Sequence, residues 1–288
     1  MVLAMNISLS LDSQAVNKAR LHALVVPREH GAWGMLLVPL ATGAAVGIMR
    51  GGKTLPLLLF LLAALAVFWL RTPLESWLGT TPLRAQTAVE RRALLVFILS
   101  LSSLAALMFT ALFWGGQNRA LLPLGAVVML AFMAQAVLRK LSRRFRMAAQ
   151  VVGAIGLTAA APAACIVAAG RFDSVAGALW FANWLFAGDQ IHFVQLRIHA
   201  ARVAGLNRRL RRGRAFLAGQ LCLAAVLIAA ASSGVLPWLA LLAFAPVLFR
   251  GIAWFLRSAQ PLAVRRLGWS ELAHALAFGA LLVVAFRW

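Results

Sequence analysis

Seven carboxylates occur in this chain of 288 residues, against 28 Lys and Arg. They are Asp12, Glu29, Glu75, Glu90, Asp173, Asp189 and Glu271, and three of them stand in constellations that could do chemistry. The first is Pro27-Arg28-Glu29-His30-Gly31-Ala32-Trp33, a cation, a carboxylate and an imidazole in a row. Glu29 and His30 have the types of a general acid and base. A helix start would also use Glu29 against the dipole and Trp33 as an interfacial anchor, but gives His30 no task.

The second constellation is Arg71-Thr72-Pro73-Leu74-Glu75-Ser76-Trp77. The planar fork of Arg71 suits a phosphate or carboxylate, with Glu75 facing the ligand or a neighbouring cation. The same residues read as a capping box, Thr72 with Glu75 three residues on and Pro73 at the first helical position. That spacing predicts a short surface helix beginning at Thr72, and both readings stand. The third is Asn183, Asp189, Gln190, His192, Gln195, Arg197 and His199. Asp189, His192, Gln195 and His199 follow three- and four-residue steps, which places them along one helical face. Any one of them serves as hydrogen-bond glue between helices; four together point to a lined cavity. Asp189 with His192 makes a weak metal pair. Ser270 and Glu271 read as the N-cap and first turn of the last helix, with His274 an interhelical histidine. His22 carries no role, and Cys165 and Cys222, isolated in apolar runs, read as packing.

The elements that must position these residues are apolar helices. Nine stretches, at 31–49, 55–70, 93–114, 120–138, 147–169, 174–196, 215–231, 236–256 and 272–286, approach the ~20 residues that cross ~30 Å of hydrocarbon. Those at 55–70 and 272–286 fall slightly short. The apolar share of 63% and mean hydropathy of +0.88 leave too little polar surface for a soluble protein. The reading is an all-α polytopic membrane protein of nine transmembrane helices, with 1–26 a cytoplasmic segment and 27–288 a single membrane domain. Asp12 or Ser13 caps a short interfacial helix there, with Leu21 and Leu24 facing the membrane surface. Asp12 and the lack of an early basic region argue against a cleaved leader.

Basic residues alternate between loops and set the orientation. Before the first stretch and after the second, fourth, sixth and eighth lie 22 of the 28 Lys and Arg, seven of them between Arg197 and Arg214. By the positive-inside rule those loops are cytoplasmic, so the N-terminus is inside and the C-terminus outside. The net charge of +21 is spread over five segments, which fits anionic lipid headgroups and argues against a nucleic-acid partner.

The motif Pro27-Arg28-Glu29-His30-Gly31-Ala32-Trp33, with Pro39 and Gly43, resembles the opening of the YwiC-like family of bacterial membrane proteins. The likeness extends through Arg71-Thr72-Pro73 and Gly188-Asp189 to Arg266-Leu267-Gly268-Trp269. It implies a place in the bacterial cell (inner) membrane. More distantly, nine helices with polar inner ends on the second and sixth resemble the UbiA-type intramembrane prenyltransferases. Those enzymes hold a prenyl diphosphate through Mg2+ on two Asp-rich motifs and pass the prenyl group to a lipophilic acceptor. What that resemblance implies here is Asp189 and Glu75 as metal ligands, and Arg71, Glu75, Asn183, Arg197 and His199 around an isoprenoid (di)phosphate. His30, Glu29 and His192 would be the acid–base groups. The chain departs from the pattern in offering one carboxylate per motif. A prenyltransferase-like enzyme and a non-enzymatic lipid, quinone or small-molecule binder or carrier are the two functions this leaves.

Overall fold

A computed structural model describes residues 19–26, 30–79, 83–114, 120–142, 145–201, 203, 205–256 and 262–287, with the side chains of 30–32 outside the description. Among them every regular element is helical: α1 (His30–Met49), α2 (Thr54–Leu78), α3 (Ala88–Trp114), α4 (Leu121–Leu141), α5 (Arg146–Thr158), α6 (Ala160–Ala169), α7 (Ser174–His199), α8 (Leu206–Ser232), α9 (Ala240–Leu256) and α10 (Val264–Ala285). Six spans among the described residues are long and apolar enough to cross a membrane: α2, α3, α4, α8, α10, and α5 with α6 taken together. Two shorter apolar helices, Trp33–Met49 and Ala240–Leu256, join them, and α7 is long but carries the polar residues of the third constellation.

Several of the sequence stretches are shorter than the helices they fall in; that at 215–231 lies in α8, which begins at Leu206 and takes in Arg208 to Arg214. The stretch at 55–70 continues as one helix to Leu78, so no new surface helix begins at Thr72, and Pro73 lies buried inside α2. Arg71 Nε meets Glu75 Oε1 at 2.9 Å, one turn apart, so the charges pair along the helix instead of ending it. The last helix likewise begins at Val264, so Ser270 is not an N-cap and Glu271 is buried in mid-helix. The Ser270 carbonyl faces His274 Nδ1 at 2.6 Å. A capping box does occur at the start of α3. Glu90 N donates to Thr87 Oγ1 at 3.1 Å, and Thr87 N donates back to Glu90 Oε2 at 3.2 Å.

The chain divides into two compact units, Met1–His30 with Leu58–Trp114, and Gly31–Leu57 with Gly115–Trp288. In the first, residues 19–25 are helical, and Leu24 is fully buried with Val25, Ala85 and Leu94. Leu24 thus packs on protein and not on a membrane surface. Trp69 Nε1 donates to the Val25 carbonyl at 3.0 Å, Ser76 Oγ to the Leu24 carbonyl at 3.1 Å, and Arg20 reaches Glu90 at 2.5 Å. Asp12 and Ser13, the expected cap of that helix, lie outside the described residues.

In the second unit, α5 and α6 together form the most enclosed of these spans. They separate at Ala159, because Pro162 brings no N–H and its ring crowds the carbonyl of Thr158. Thr158 Oγ1 also turns back onto the Ala154 carbonyl at 2.7 Å, a bond that bends helices. Asp173 caps α7 by accepting from Ala176 N at 3.1 Å and pairs with Arg50 at 2.7 Å. Partial burial works against its charge, but the Ala176 N–H and Arg50 outweigh it and hold its carboxyl below the ordinary range.

Helix α1 lies close on α6 through small residues. A Cβ on Gly43 would collide with the Ala161 carbonyl, and one on Gly47 would fall 2.7 Å from the Ala168 Cβ. Gly43→Ala is therefore expected to lower the unfolding temperature of the purified protein, by overpacking that costs about 1–3 kcal/mol. Gly125→Ala on α4, where nothing lies within 4 Å, should leave it unchanged or raise it slightly.

Candidate functional site

The second unit carries a charged cluster where four consecutive helices meet. Arg250 of α9 directs Nη2 to Asp189 Oδ2 of α7 at 2.7 Å and Nη1 to Glu271 Oε2 of α10. Gln220 of α8 donates through Nε2 to Asp189 Oδ1. The guanidinium lies 4.0 Å from the centroid of the Phe193 ring. A second link, Gln190 Nε2 to the Glu271 backbone carbonyl at 2.9 Å, ties α7 to α10 beside it. Asp189 is 6% exposed, and Arg250, Gln220 and Glu271 are each 9% exposed.

Local sequence explains how each side chain arrives there. Asp189 stands one turn after Phe186 and one turn before Phe193, so it shares their inward face. Phe186 stacks on Phe278 at 4.0 Å, and Phe278 meets Phe244 edge-on at 5.1 Å. Toward the other end of α7, Phe193, Leu196, Phe216, Trp254 and Phe255 form a buried core. Aromatic packing on both sides keeps water from the charges. Glycine at 251 leaves room for this, since a Cβ there would fall 3.0 Å from Gln220 Oε1 and 3.1 Å from the Phe216 ring.

At ~1.5 Å per residue, Asp189 lies about 15 Å from the His199 end of α7, Arg250 about 9 Å from the Leu256 end of α9, and Glu271 about 10 Å from the Val264 end of α10. The cluster is thus within the helical body and not at the helix ends. One guanidinium faces two carboxylates, so the formal charges leave one negative charge over. Asp189 has both oxygens engaged; Glu271 Oε1, Gln220 Oε1 and Arg250 Nε are buried without a hydrogen-bond partner.

The other residues expected at a site each find a separate neighbour. Asn183 donates to Thr42 Oγ1 at 3.2 Å and to the Leu179 carbonyl at 2.9 Å, gluing α7 to α1. His192 meets the Phe216 ring edge-on at 5.2 Å. Gln195 donates to Gln150 on α5 at 3.1 Å, and exposed His199 faces its own Gln195 carbonyl at 2.8 Å. The expected polar face of α7 is therefore divided between α8, α9 and α5. Arg197 is half-buried in the last turn of α7. Arg71 and Glu75 pair with each other in the first unit. Glu29 lies outside the described residues, and His30 opens α1 with its side chain outside the description. Among the described residues no group of three or more His, Cys, Asp or Glu stands close enough to hold a metal ion.

Sequence reasoning missed Arg250 and Gln220. A lone arginine in the apolar run Ala240–Leu256 was the available signal, because a guanidinium in a membrane helix demands an acidic partner. Arg209 belongs by sequence to the basic run between Arg197 and Arg214, but differs from its neighbours there. It is buried, donating to the Val203 and Trp254 carbonyls at 3.1 Å each and lying 5.3 Å from the Trp254 ring centroid.

Apolar spans enclosing an ion-paired centre define a helical protein of membrane type. Residues 26–165 match the model of the family described as YwiC-like protein, so just under half of the chain is similar to that family. No curated protein and no solved structure matches the chain.

Arg250→Met would leave two carboxylates buried without their common cation. It is expected to lower stability by about 3–5 kcal/mol, read as the unfolding temperature in detergent. Gln220→Leu, which removes one hydrogen bond to a charged group, should cost only about 1.5–3 kcal/mol. Equal losses would show that Arg250 does not organise the cluster.

Proposed function

We propose that the protein crosses the bacterial cell (inner) membrane nine times, N-terminus inside and C-terminus outside, and binds a lipophilic anion of the isoprenoid (di)phosphate class without metal-dependent chemistry. It is a binder or carrier that shares the architecture of the UbiA-type prenyltransferases. The observation that carries this reading is the commitment of Asp189, which accepts from Arg250 and Gln220 with both oxygens. In a transferase of that type this position would hold Mg2+. A magnesium ion here would have to displace a guanidinium, and at Glu75 it would meet Arg71 in the same way. The donors present therefore do not suit it.

The anion-binding part of the reading rests on excess positive charge. Arg208, Arg211, Arg212 and Arg214 are exposed in the first turns of α8, and the Arg71 side chain is 40% exposed beside Glu75. A fork such as Arg71 can give a phosphate two parallel hydrogen bonds, while the exposed arginines of α8 contribute diffuse attraction.

Two experiments test this. Reporter fusions should place residues following Ala285 outside and the segment around Gly205 inside; a C-terminus inside would remove the nine-crossing topology. In direct binding of a prenyl diphosphate analogue to the purified protein, Arg71→Lys should weaken affinity several-fold, since hydrogen bonds to charged groups contribute about 1.5–3 kcal/mol each. Arg211→Lys should scarcely change it. Absence of binding by the parent chain would end the isoprenoid reading. Binding that requires Mg2+, or release of a prenylated product, would restore the transferase with Glu29, His30 and His192 as its acid–base groups.

A further inference from the structure

Two carboxylates and one guanidinium, all about nine-tenths buried or more, form a charge count that does not balance. Inside a bundle shielded by aromatic packing, a surplus negative charge is costly. The hydrogen bonds are unbalanced in the same sense. Asp189 receives a donor on each oxygen, whereas Glu271 receives one on Oε2 and none on Oε1. Gln220 Oε1, in the same cluster, is a second acceptor lacking a donor. The cluster is thus short of one positive charge and short of donors for two oxygens. Arg250 Nε, the remaining donor without an oxygen, belongs to the guanidinium stacked over Phe193.

We propose that this cluster is a proton-binding site, and that Glu271 carries the proton on Oε1 at neutral pH. A proton cancels the surplus charge and ends the need of Oε1 for a donor. A metal ion fits less well, because it needs several oxygens around it and would sit against the Arg250 guanidinium. The titratable and charged groups acting on Glu271 are Arg250 from α9, Asp189 and Arg197 from α7, and His274 from its own helix. His192 of α7 stands against Phe216, α8 presents uncharged Gln220, and α1 has no titratable residue between Trp33 and Met49. Arg250 already bridges the two acids, and no second buried cation pairs with either among the described residues. With the proton bound, the meeting point of α7, α8, α9 and α10 is neutral. Any movement that opens it to water releases the proton, so opening of these four helices is coupled to proton exchange. This inference stands apart from the anion-binding reading, and either can fail alone.

The test is infrared spectroscopy of the full chain, purified in detergent or in lipid nanodiscs at neutral pH. Ordinary carboxyls, with reference values of ~3.9 and ~4.3, are ionised there and give no carboxylic-acid carbonyl band. We expect one such band. It should shift when glutamate carboxyls are labelled with carbon-13, stay in place when aspartates are labelled, and vanish in Glu271→Gln. Asp189→Asn should also abolish it with Glu271 still present, because Arg250 then faces a single carboxylate. No acid band in the parent, a band that shifts with aspartate labelling, or one that survives Glu271→Gln would each overturn the proposal. The labelling comparison uses the parent chain alone, so it decides the matter even where a variant fails to fold.

Discussion

A guanidinium inside a helix bundle has lost its water, and the helices around Arg250 are arranged to replace that water with carboxylates. Asp189 on α7 and Glu271 on α10 each take one terminal nitrogen, and the Phe193 ring takes the face. Three helices are thereby fixed in register by a single side chain, and Gln220 draws in a fourth through Asp189. Buried ion pairs add little net stability over apolar packing, but breaking one leaves an uncompensated charge. The arrangement therefore specifies which helix faces which more than it strengthens the bundle, and membrane helices with apolar surfaces of similar character need such specification.

The rest of the second unit follows the same economy of polar groups. Asn183 and Thr42 join α7 to α1, Gln195 and Gln150 join α7 to α5, and the indoles of Trp180 and Trp184 donate to the Ile155 and Val151 carbonyls at 3.1 Å each. Helix α7 thus spends nearly every polar side chain on a neighbour. Small residues do the complementary work on the other face of α1, where Gly43 and Gly47 let the backbone of α6 approach. In the first unit, Arg20 and Glu90 tie residues 19–26 to the start of α3, and the Thr87 capping box orients the same carboxylate.

The family match over residues 26–165 covers α1 to α5 and most of α6, and so stops short of Asp189, Gln220, Arg250 and Glu271. The cluster is accordingly a feature argued from this chain's own geometry. A centre whose acids are committed to an arginine is poorly suited to holding magnesium.

The amino-acid sequence by itself determined the helical class and the membrane character, because bilayer thickness and helix rise together require long apolar runs, and these survive any tertiary context. It also placed most helix bodies to within a few residues. It failed where hydropathy and helicity part. Arg71, Glu75 and Glu271 ended the apolar runs on paper, yet the helices continue through them because those charges find partners one turn away or across a helix interface. The periodic stripe Asp189, His192, Gln195 and His199 was legible, but its meaning was not, since a face over 100° wide can touch three neighbours at once. Only the tertiary structure decided that Asp189 belongs with Arg250, 61 residues away, and with Glu271 beyond it. Pairings of that kind depend on which helices pack side by side, and no local pattern of residues encodes that.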